Sequence, residues 1–309
     1  MGTYTIKQDT FHYFWNRRHK PALHIKPGDL VKFEVNEVAS WQIRKESRAR
    51  DFAKLDDKKL YPLSGPVFVE GALPGDALSI SVENVKTADW GWTGIIPGLG
   101  LLPEFKKPYL WIWDLSRGKD HANFVRGISV PLAPFCGVMG VAPKENGNFN
   151  VKPPGRHGGN MDIRHLTKGS KLILPVWNEG ALFSVGDVHA AQGDGEVCVT
   201  AIECPGEVTL KFDLIKGAGI SSPRYFTRSD RKGNLETRFV TTGISPDLME
   251  ASRQAVRNMI DHLSEQHALT RDEAYVLCSV AADLRIHEVV DSPNWVVGLS
   301  IGQSVFSSL

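Results

Sequence analysis

Two residues near the end of an apolar run, Asp187 and His189, have the types and the spacing of a metal-binding pair. The run belongs to GALFSVGDVHAAQGDGEV at residues 180–197, which is typical of a strand followed by a glycine-rich turn. In a strand, residues i and i+2 project to the same side, so the carboxylate and the imidazole are expected to lie together. Both groups suit a divalent ion such as zinc. A hairpin in which His189 is a hydrogen-bonded core residue is the alternative that spacing leaves open.

A second glycine-rich segment, PPGRHGGNMDIRHL at residues 153–166, supplies further candidate ligands. Its glycines, among them Gly158 and Gly159, allow the backbone to approach a ligand closely. Asn160 and Asp162 follow directly and offer an amide and a carboxylate. A surface loop in which these side chains only stabilise local turns is the alternative. The segment becomes a functional candidate if it lies beside the Asp–His pair.

Three carboxylates that follow the Asp–His pair are candidates for a general base or a further ligand. They are Asp194, Glu196 and Glu203. Asp194 also forms a turn dipeptide with the glycine after it, and strand ends that face solvent would explain the two glutamates. Another charged group lies near the end of the chain, where we expect it to be structural or to lie behind the site. Its members are Asp283, His287 and Glu288.

The sequence lacks the motifs of several common enzyme classes. It has neither a GxSxG elbow nor a P-loop, and its GIIPGLG run does not follow the pattern of a dinucleotide-binding turn. Cys136 in PFCGVMG is a candidate nucleophile, with a buried thiol in an apolar strand as the alternative. The four cysteines have no CxxC spacing, and we expect reduced thiols in a cytoplasmic protein.

Composition and charge limit the classes of partner. The chain has 309 residues, of which 42% are hydrophobic and 23% charged, as in an ordinary globular protein. Its 36 Lys and Arg nearly balance its 35 Asp and Glu, so we expect no binding to nucleic acid or to an anionic membrane surface. No run approaches the ~18 apolar residues of a membrane span, and the first residues lack the apolar core of a signal peptide.

Short strand-like runs separated by Gly, Pro and Asp dominate the first two thirds of the chain. LPGDALSISV (73–82) and GEVTLKFDLI (206–215) both alternate apolar and polar residues after a turn. Many short strands with frequent turns predict a sandwich or a barrel. The segment from Trp90 to Pro108 is apolar but broken by Gly and Pro. It is predicted to be a loop that covers a pocket, with an ordinary packed loop as the alternative.

The apolar period changes to that of a helix near residue 245. Ser245-Pro246-Asp247 offers an N-cap followed by Pro at the first helical position, and Thr270 begins a capping box of a second helix. The second helix is expected to turn Leu277, Ala281 and Leu284 inward, before two strands, IHEVV and NWVVGLSI.

The predicted fold is therefore mainly β, with a β-sandwich or barrel-like N-terminal and central part and an α+β C-terminal part containing two helices. We divide the chain into a β-sandwich part, residues 1–140, and a β-rich site region with the α+β C-terminal part, residues 141–309. The helices are expected to form a layer on a sheet.

Five segments of the chain carry a resemblance to a known family. They are GPVFVEGALPGDALSI (65–80), VPLAPFCGVMGVAP (130–143), GGNMDIRHL (158–166), LPVWNEGALFSVGDVHAAQGDGEVCVTAIE (174–203) and LCSVAADLRIHEVVDSPNWVV (277–297). In these segments, and over almost its whole length, the sequence resembles the acetamidase/formamidase family. The resemblance implies hydrolysis of short aliphatic amides to a carboxylate and ammonia. It also implies a β-sandwich with an added α+β part, a homo-oligomer, and a bound divalent metal that we expect to be zinc.

The resemblance also implies how the candidate residues are arranged. It places five of them close together: Asn160, Asp162, Asp187, His189 and Asp194. We expect Asp162, Asp187 and His189 to hold the metal. The ion would polarise the amide oxygen and lower the pKa of its water toward ~7.

The remaining roles follow from the same expectation. Glu203 or Asp194 would accept the proton of the water and pass it to the departing ammonia. Asn160 and the backbone amides of the glycine pair before it would stabilise the oxyanion. Trp92 or Phe183 would form the wall that limits the acyl group to one or two carbons.

Three positions depart from what the resemblance leads us to expect. Asn16 stands in place of an Asp, His287 in place of a small Ser, and Cys136 in place of a larger aliphatic residue. These differences concern the shape of the pocket and the preferred amide more than the reaction. Two alternatives remain: an amidase that uses Cys136 as its nucleophile, and a non-catalytic β-sandwich binding protein whose Asp and His residues hold a structural ion.

Overall fold

The computed structural model describes residues 1–116, 120–231 and 234–306, and strands dominate this part of the chain. The strands are β1 Thr3–Ile6, β2 Phe11–His12, β3 Leu23–Ile25, β4 Leu30–Val35, β5 Leu63–Val69, β6 Ala77–Thr87, β7 Trp90–Ile95, β8 Tyr109–Asp114, β9 His121–Asn123, β10 Ser129–Pro131, β11 Phe135–Gly140, β12 Gly158–Asn160, β13 Lys171–Pro175, β14 Phe183–His189, β15 Glu203–Cys204, β16 Gly206–Ile215, β17 Arg224–Arg231, β18 Asn234–Ser245, β19 Ala282–Glu288 and β20 Trp295–Gly302. The helices are α1 Leu248–His267 and α2 Arg271–Ala281. Among the described residues, no helix combines the length and the apolar character of a membrane span.

Most of the strands form two nine-stranded sheets. The first sheet has the order β1-β4-β16-β6-β13-β17-β18-β20-β19. The second has the path β12-β11-β14-β15-β7-β8, and β5 pairs with β14 and carries β2 and β3. Each sheet takes strands from both sides of residue 140, so the boundary predicted there does not separate the two sheets.

The two sheets pack face to face around a core of aromatic and branched side chains. Phe33 in β4 and Phe212 in β16 come from the first sheet, and both rings contact Phe183 from β14 of the second, at centroid distances of 6.2 and 5.1 Å. All three are fully buried, and burial of such a side chain contributes about 1.5–3 kcal/mol. The alternation predicted for residues 206–215 is present, since every second residue of β16 from Val208 to Phe212 faces this core. The predicted β-sandwich is confirmed.

The C-terminal part adds the predicted helical layer. Helix α1 packs against β18 and β20, α2 packs against α1 and strands β19 and β20, and a second hydrophobic core lies between the helices and the strands. Ala255, Met259 and Leu263 of α1 are buried in it, as the helical period predicts. The two helices and the strands around them confirm the predicted α+β part.

Two details of the helices differ from the prediction. The side chain of Asp247, rather than that of Ser245, caps α1 by accepting a hydrogen bond from the amide of Glu250 at 2.7 Å. Ser245 still belongs to β18, where it pairs with Trp295. Leu284 lies in the edge strand β19, after the end of α2, and is 51% exposed. The capping box from Thr270 to Glu273 is present as predicted.

Replacement of the α1 cap tests this assignment. We expect Asp247→Ala to lower the free energy of unfolding by about 1 kcal/mol, because the amide of Glu250 loses its acceptor. Urea unfolding followed by circular dichroism measures the change. Glu265→Ala, at an exposed position of the same helix, is the control and should change the free energy of unfolding by less than about 0.5 kcal/mol.

Candidate active site

Four adjacent strands of the second sheet position the residues of the Asp–His stretch. His189 at the end of β14 pairs with Phe135 in β11 on one side and with Glu203 in β15 on the other. Glu203 in turn pairs with Trp92 in β7. This pairing brings Glu203 beside His189 although 13 intervening residues separate them in the chain. The sheet register therefore builds a row of functional side chains across neighbouring strands.

Asp187 and His189 lie on the same side of β14, as their spacing predicts. Nε2 of His189 is 3.2 Å from Oδ1 of Asp187 and 3.0 Å from Oε2 of Glu203. The other ring nitrogen, Nδ1, is 2.9 Å from Oε1 of Gln192. Gln192 is oriented because its amide group donates to the backbone carbonyl of Asp162 at 2.8 Å. Nδ1 of His189 therefore donates, and in the neutral ring Nε2 presents its lone pair to two carboxylates.

Asp162 and Glu196 complete a buried group that we call the acidic cluster. Its members are Asp162, Asp187, His189, Glu196 and Glu203, and all five are buried. The cluster contains two groups of three residues in which one ligand atom per residue lies within 4.8 Å of the others. The first group is Asp162, His189 and Glu196, and the second is Asp187, His189 and Glu203. The cluster thus brings together all three residues that were predicted to bind metal, with two glutamates beside them.

Three members of the acidic cluster have an unusual backbone conformation. The φ angles of Asp162, Asp187 and Glu196 are 46°, 58° and 46°, in the left-handed region that residues other than glycine rarely adopt. Such conformations cost about 1–3 kcal/mol each and are concentrated at functional sites. The backbone strain therefore supports a functional role for these carboxylates.

Burial of so many acids perturbs their protonation. Burial raises the pKa of Glu203 to about 8 and holds the pKa values of Asp162 and Glu196 well above their usual range. The charge of Glu196 adds to the effect on Asp162. Burial alone would lower the pKa of His189, but the carboxylates of Glu203 and Asp187 raise it well above its usual value. The cluster therefore attracts positive charge, either protons or a cation.

The donor atoms of the acidic cluster fit a divalent metal ion. Oδ1 of Asp187, Nε2 of His189 and Oε2 of Glu203 have no hydrogen-bond partner within the described part of the chain, although all are buried. Their separations of 3.2 and 3.0 Å from Nε2 are close to the ~3.3 Å between ligand atoms of a tetrahedral zinc site. The hydrogen bond from Nδ1 to Gln192 is the kind of support that orients a ligating histidine.

Gly137 in β11 leaves room for this arrangement. A Cβ atom at this position would lie 2.4 Å from Oδ1 of Asp162, 2.9 Å from Oδ2 of Asp187 and 2.9 Å from Cε1 of His189. The three residues predicted as ligands therefore converge on the space that a side chain at residue 137 would fill.

A small cavity opens beside the acidic cluster. Its volume is about 80 Å³, and its carboxylate lining comes from Asp162, Asp187, Glu196 and Glu203. A cavity of this size is well below the ~300–1,000 Å³ of pockets for drug-sized ligands, so it suits a small molecule. A larger groove of about 720 Å³ lies elsewhere, around Arg156 and Trp177, and includes none of the cluster residues.

The apolar wall of the cavity includes one of the two predicted residues. Trp92 lines the cavity, whereas Phe183 lies in the core between the sheets. The segment from Trp90 to Pro108 begins as strand β7, and Ile96 and Leu99 in the loop that follows also line the cavity. Two residues of the predicted covering loop, Ile96 and Leu99, therefore line the cavity, whereas the first six residues of the segment are strand.

Asn160 lines the cavity in an orientation that differs from the predicted one. Its Nδ2 donates to Oδ2 of Asp291 at 2.6 Å, while its Oδ1 is buried and lacks a partner among the described residues. The free oxygen suits acceptance of a hydrogen bond better than donation to an oxyanion. The amide of Gly158 already donates to the carbonyl of Gly155, so it is not available for that role either.

Asp194 is not brought to the acidic cluster. Its carboxylate is 3.5 Å from Nε2 of His165 and 3.2 Å from Nη1 of Arg285, and its side chain is 29% exposed. The loop after β14 turns between Asp194 and Glu196, so only the second of these acids reaches the cavity. Glu196 therefore occupies the position in the acidic cluster that was predicted for Asp194.

Cys136 is poorly placed to be a nucleophile. Its side chain lies in the core between the sheets, and burial raises the pKa of its thiol to about 12. A nucleophilic cysteine needs its thiolate form, which this environment disfavours. All four cysteines carry free thiols, in agreement with the absence of CxxC spacing.

Two acids near the cavity were missed from the sequence. Asp291 orients Asn160 from 131 residues away. Glu37 accepts hydrogen bonds from the indole of Trp92 and from the amides of Ala39 and Trp41, and burial raises its pKa to about 7. Neither residue is marked by a local motif, because the contact of Asp291 with Asn160 and that of Glu37 with Trp92 each join segments far apart in the chain.

Comparisons with known proteins relate the whole chain to one family. The model of the "Acetamidase/Formamidase family" matches residues 3–151 and 146–308. A formamidase of Methylophilus methylotrophus is 28% identical, covering 96% of this chain and 89% of its own. An acetamidase of Mycolicibacterium smegmatis is also 28% identical, with coverages of 86% and 84%. The crystal structure of an acetamidase from Bacillus halodurans superposes with a TM-score of 0.90 at 32% identity, with 99% of each chain covered. The chain therefore belongs to the acetamidase/formamidase family.

Proposed function

We propose that the protein hydrolyses short linear amides, formamide or acetamide first among them, to a carboxylate and ammonia. Membership of the family supports the reaction, and the relatives named as formamidase and acetamidase support the substrates. The small cavity of about 80 Å³ beside the acidic cluster suits amides of this size. The substrate would bind with its carbonyl carbon toward the cluster and its acyl group against Trp92.

One observation carries the proposal that a divalent metal takes part. Nε2 of His189 presents a lone pair at 3.0 and 3.2 Å from two carboxylate oxygens, an arrangement that a cation between them makes favourable. We propose zinc, because a mixed set of imidazole and carboxylates suits it. His189, Asp187 and Glu203 fit as ligands, with the predicted ligand Asp162 beside them. The bound ion supplies Lewis-acid polarisation of the amide and a lowered pKa of the attacking water.

Asp162 and Glu196 are proposed to move the protons. Both line the cavity, and their mutual proximity favours a state in which the two carboxylates share one proton. In this arrangement the oxygen of the water attacks the carbonyl carbon, and Glu196 accepts a proton from the water. The proton then passes to the amide nitrogen as its bond to carbon breaks, and ammonia leaves. Glu203, predicted as the base, is assigned instead to the ligand set because of its contact with Nε2 of His189.

Asn160 is proposed to recognise the amino group of the amide. Its free Oδ1 accepts a hydrogen bond from the substrate N–H, and Asp291 holds the side chain in that orientation. We expect Asp291→Ala to raise KM about fivefold to tenfold with little change in kcat, since about 1 kcal/mol of orientation is lost. Asp291→Asn keeps an acceptor oxygen for Nδ2 and should behave nearly as the wild type. Steady-state kinetics with formamide measures both, and an equal effect of the two variants would contradict the orienting role.

The reaction is tested by ammonia release from formamide, acetamide and propionamide, with metal content measured on the same sample. We expect release that is lost on chelation and restored by Zn²⁺, with propionamide the poorest substrate. Ammonia release that persists in metal-free protein would exclude the proposed ion. If thiol alkylation then abolished the release, Cys136 would be the nucleophile. Protein that binds metal but releases no ammonia would be a binding protein with a structural ion.

We further propose that the protein is a cytoplasmic homo-oligomer without nucleic-acid or membrane partners. The four free thiols support a reducing compartment. Helix α2 exposes a patch formed by Tyr275, Val276 and Val280, each more than 60% exposed, which suits contact with a second copy. Sedimentation equilibrium measures the oligomeric state directly.

A further inference from the structure

Outside the acidic cluster, a second group of potential ligands lies where the loop after β14 meets strand β19. It consists of His165, Asp194 and His287, and we call it the His–Asp–His group. One ligand atom from each residue lies within 4.8 Å of the others. His287 is fully buried, and the other two side chains are about 30% exposed. The group shares no residue with the acidic cluster or with its cavity.

Three atoms of this group are buried without a hydrogen-bond partner among the residues that the structure describes. They are Nε2 of His165, Oδ1 of Asp194 and Nδ1 of His287. Nε2 of His165 and Oδ1 of Asp194 are 3.5 Å apart, close to the spacing of ligand atoms around a tetrahedral ion. An unpaired buried donor or acceptor is unfavourable, and three of them within one group of potential ligands point to a common partner.

Contacts on the outer side of the group hold its members and leave one polar atom of His287 and one of Asp194 free for another partner. Nε2 of His287 is 3.1 Å from the hydroxyl of Tyr225, which leaves Nδ1 for another partner. Oδ2 of Asp194 pairs with Arg285 at 3.2 Å, which leaves Oδ1. The carbonyl of His165 accepts from Thr227 at 2.8 Å, which holds the loop in place. His287 and Asp194 thus each have an outer side-chain contact of the kind that supports metal sites, and the backbone of His165 is held by Thr227.

Gly298 in the neighbouring strand β20 makes room for the imidazole of His287. A Cβ atom at Gly298 would lie only 2.1 Å from Nε2 of that ring. A cavity of about 140 Å³ beside His165 and His287 gives a small ion access to the group. The buried histidine therefore lies in a space shaped for it and next to an entry path.

We propose that the His–Asp–His group is a second metal site, which binds a divalent transition metal of the zinc type. Two imidazoles and one carboxylate suit zinc, cobalt or nickel, whereas calcium and magnesium prefer sites made of oxygen alone. The fourth position of a tetrahedral ion remains for water. This site does not depend on the proposed amide hydrolysis.

The position of the site gives it a consequence for the acidic cluster. Asp194 precedes Glu196 by two residues, and the amide of Gly195 between them donates to the carbonyl of His287 at 2.9 Å. The ion pair of Asp194 with Arg285 already joins this loop to strand β19 as well, and an ion bound by Asp194 and His287 would add a further connection. The site therefore anchors the loop that presents Glu196 to the cavity.

Metal titration of chelator-treated protein tests the proposal. Co²⁺ gives an absorption spectrum at each tetrahedral site, and Zn²⁺ competing with a chromophoric chelator gives the number bound. We expect Asp194→Asn and His165→Gln each to bind one equivalent less than the wild type. Both side chains are partly exposed, so these variants should fold, which circular dichroism checks. His121→Gln, at an exposed histidine of β9, is the control and should retain the full number.

Asp187→Asn separates this site from the acidic cluster. We expect this variant to lose the ion of the acidic cluster and to keep that of the His–Asp–His group. The double variant with Asp194→Asn should then bind no metal. Asp194→Asn protein that binds as many Zn²⁺ ions as the wild type would overturn the second site. Equal binding of Ca²⁺ at the site would overturn its assignment to a zinc-type ion. Failure of Asp187→Asn to lose an ion would concern the acidic cluster alone.

Discussion

Gly137→Ala is expected to lower kcat/KM for formamide at least about 100-fold and to release the bound metal. The added Cβ would lie 2.4 Å from Oδ1 of Asp162 and 2.9 Å from Oδ2 of Asp187, closer than real contacts allow. Gly137 lies in the middle of β11, which is hydrogen-bonded to β14, so the backbone cannot move away and the carboxylates must. A displacement of this size at metal ligands removes the geometry on which both binding and catalysis depend.

Ammonia release and metal content measured on one sample follow the effect of this substitution. Gly193→Ala is the matched control, because the same methyl group at this exposed position of the next loop meets no atom within 4 Å. We expect the control to keep its activity and its metal. A Gly137→Ala variant that retained both would show that the space beside the acidic cluster is not needed by the ligands.

Glu196→Gln and Glu203→Gln are expected to fail for different reasons. Glutamine at position 196 should reduce kcat by about 10²–10⁴-fold with metal content unchanged, because the carboxylate that accepts the proton is gone. Glutamine at position 203 should lose the ion, because Oε2 lies beside Nε2 of His189 as a ligand. Both substitutions preserve volume, so the cavity of about 80 Å³ keeps its shape.

Metal analysis of each purified variant, followed by kinetics at saturating Zn²⁺, distinguishes the two roles. Glu70→Gln removes the charge of an exposed carboxyl in the turn that follows β5 and should leave the metal content and the kinetics unchanged. The assignment is reversed if Glu203→Gln keeps its ion and loses kcat while Glu196→Gln loses the ion. Glu203 would then be the base that the sequence suggested.

The site residues that could be predicted from the sequence are those within one strand, where side chains alternate between two sides. Asp187 and His189 lie together because they are two residues apart in a strand, and the contact between them is 3.2 Å. The strands themselves follow from alternation, as in β16. Asp162 was a candidate from its own glycine-rich segment, but only the resemblance to the family placed it near the pair, because that position depends on the pairing of β11 with its neighbours and has no signal in spacing.

The choice between Asp194 and Glu196 could not be made from the sequence. They are two residues apart in a loop without a regular period, so no rule says which one faces the cavity. Asp194 turns to Arg285 in β19, a contact across 91 residues, and Glu196 turns inward. Asp291 was missed for a similar reason, since its contact with Asn160 joins two segments that only the assembled fold brings together.

The left-handed backbone at Asp162, Asp187 and Glu196 sets a limit on how this protein can be made more thermostable. Glycine adopts such angles without strain, so replacement by glycine at these positions would relax the backbone and also remove buried like charges. A selection for heat resistance alone would therefore favour loss of the carboxylates that the proposed reaction needs. Stabilising substitutions are better sought away from the acidic cluster, and a library that excludes these three positions should yield heat-resistant variants that still release ammonia.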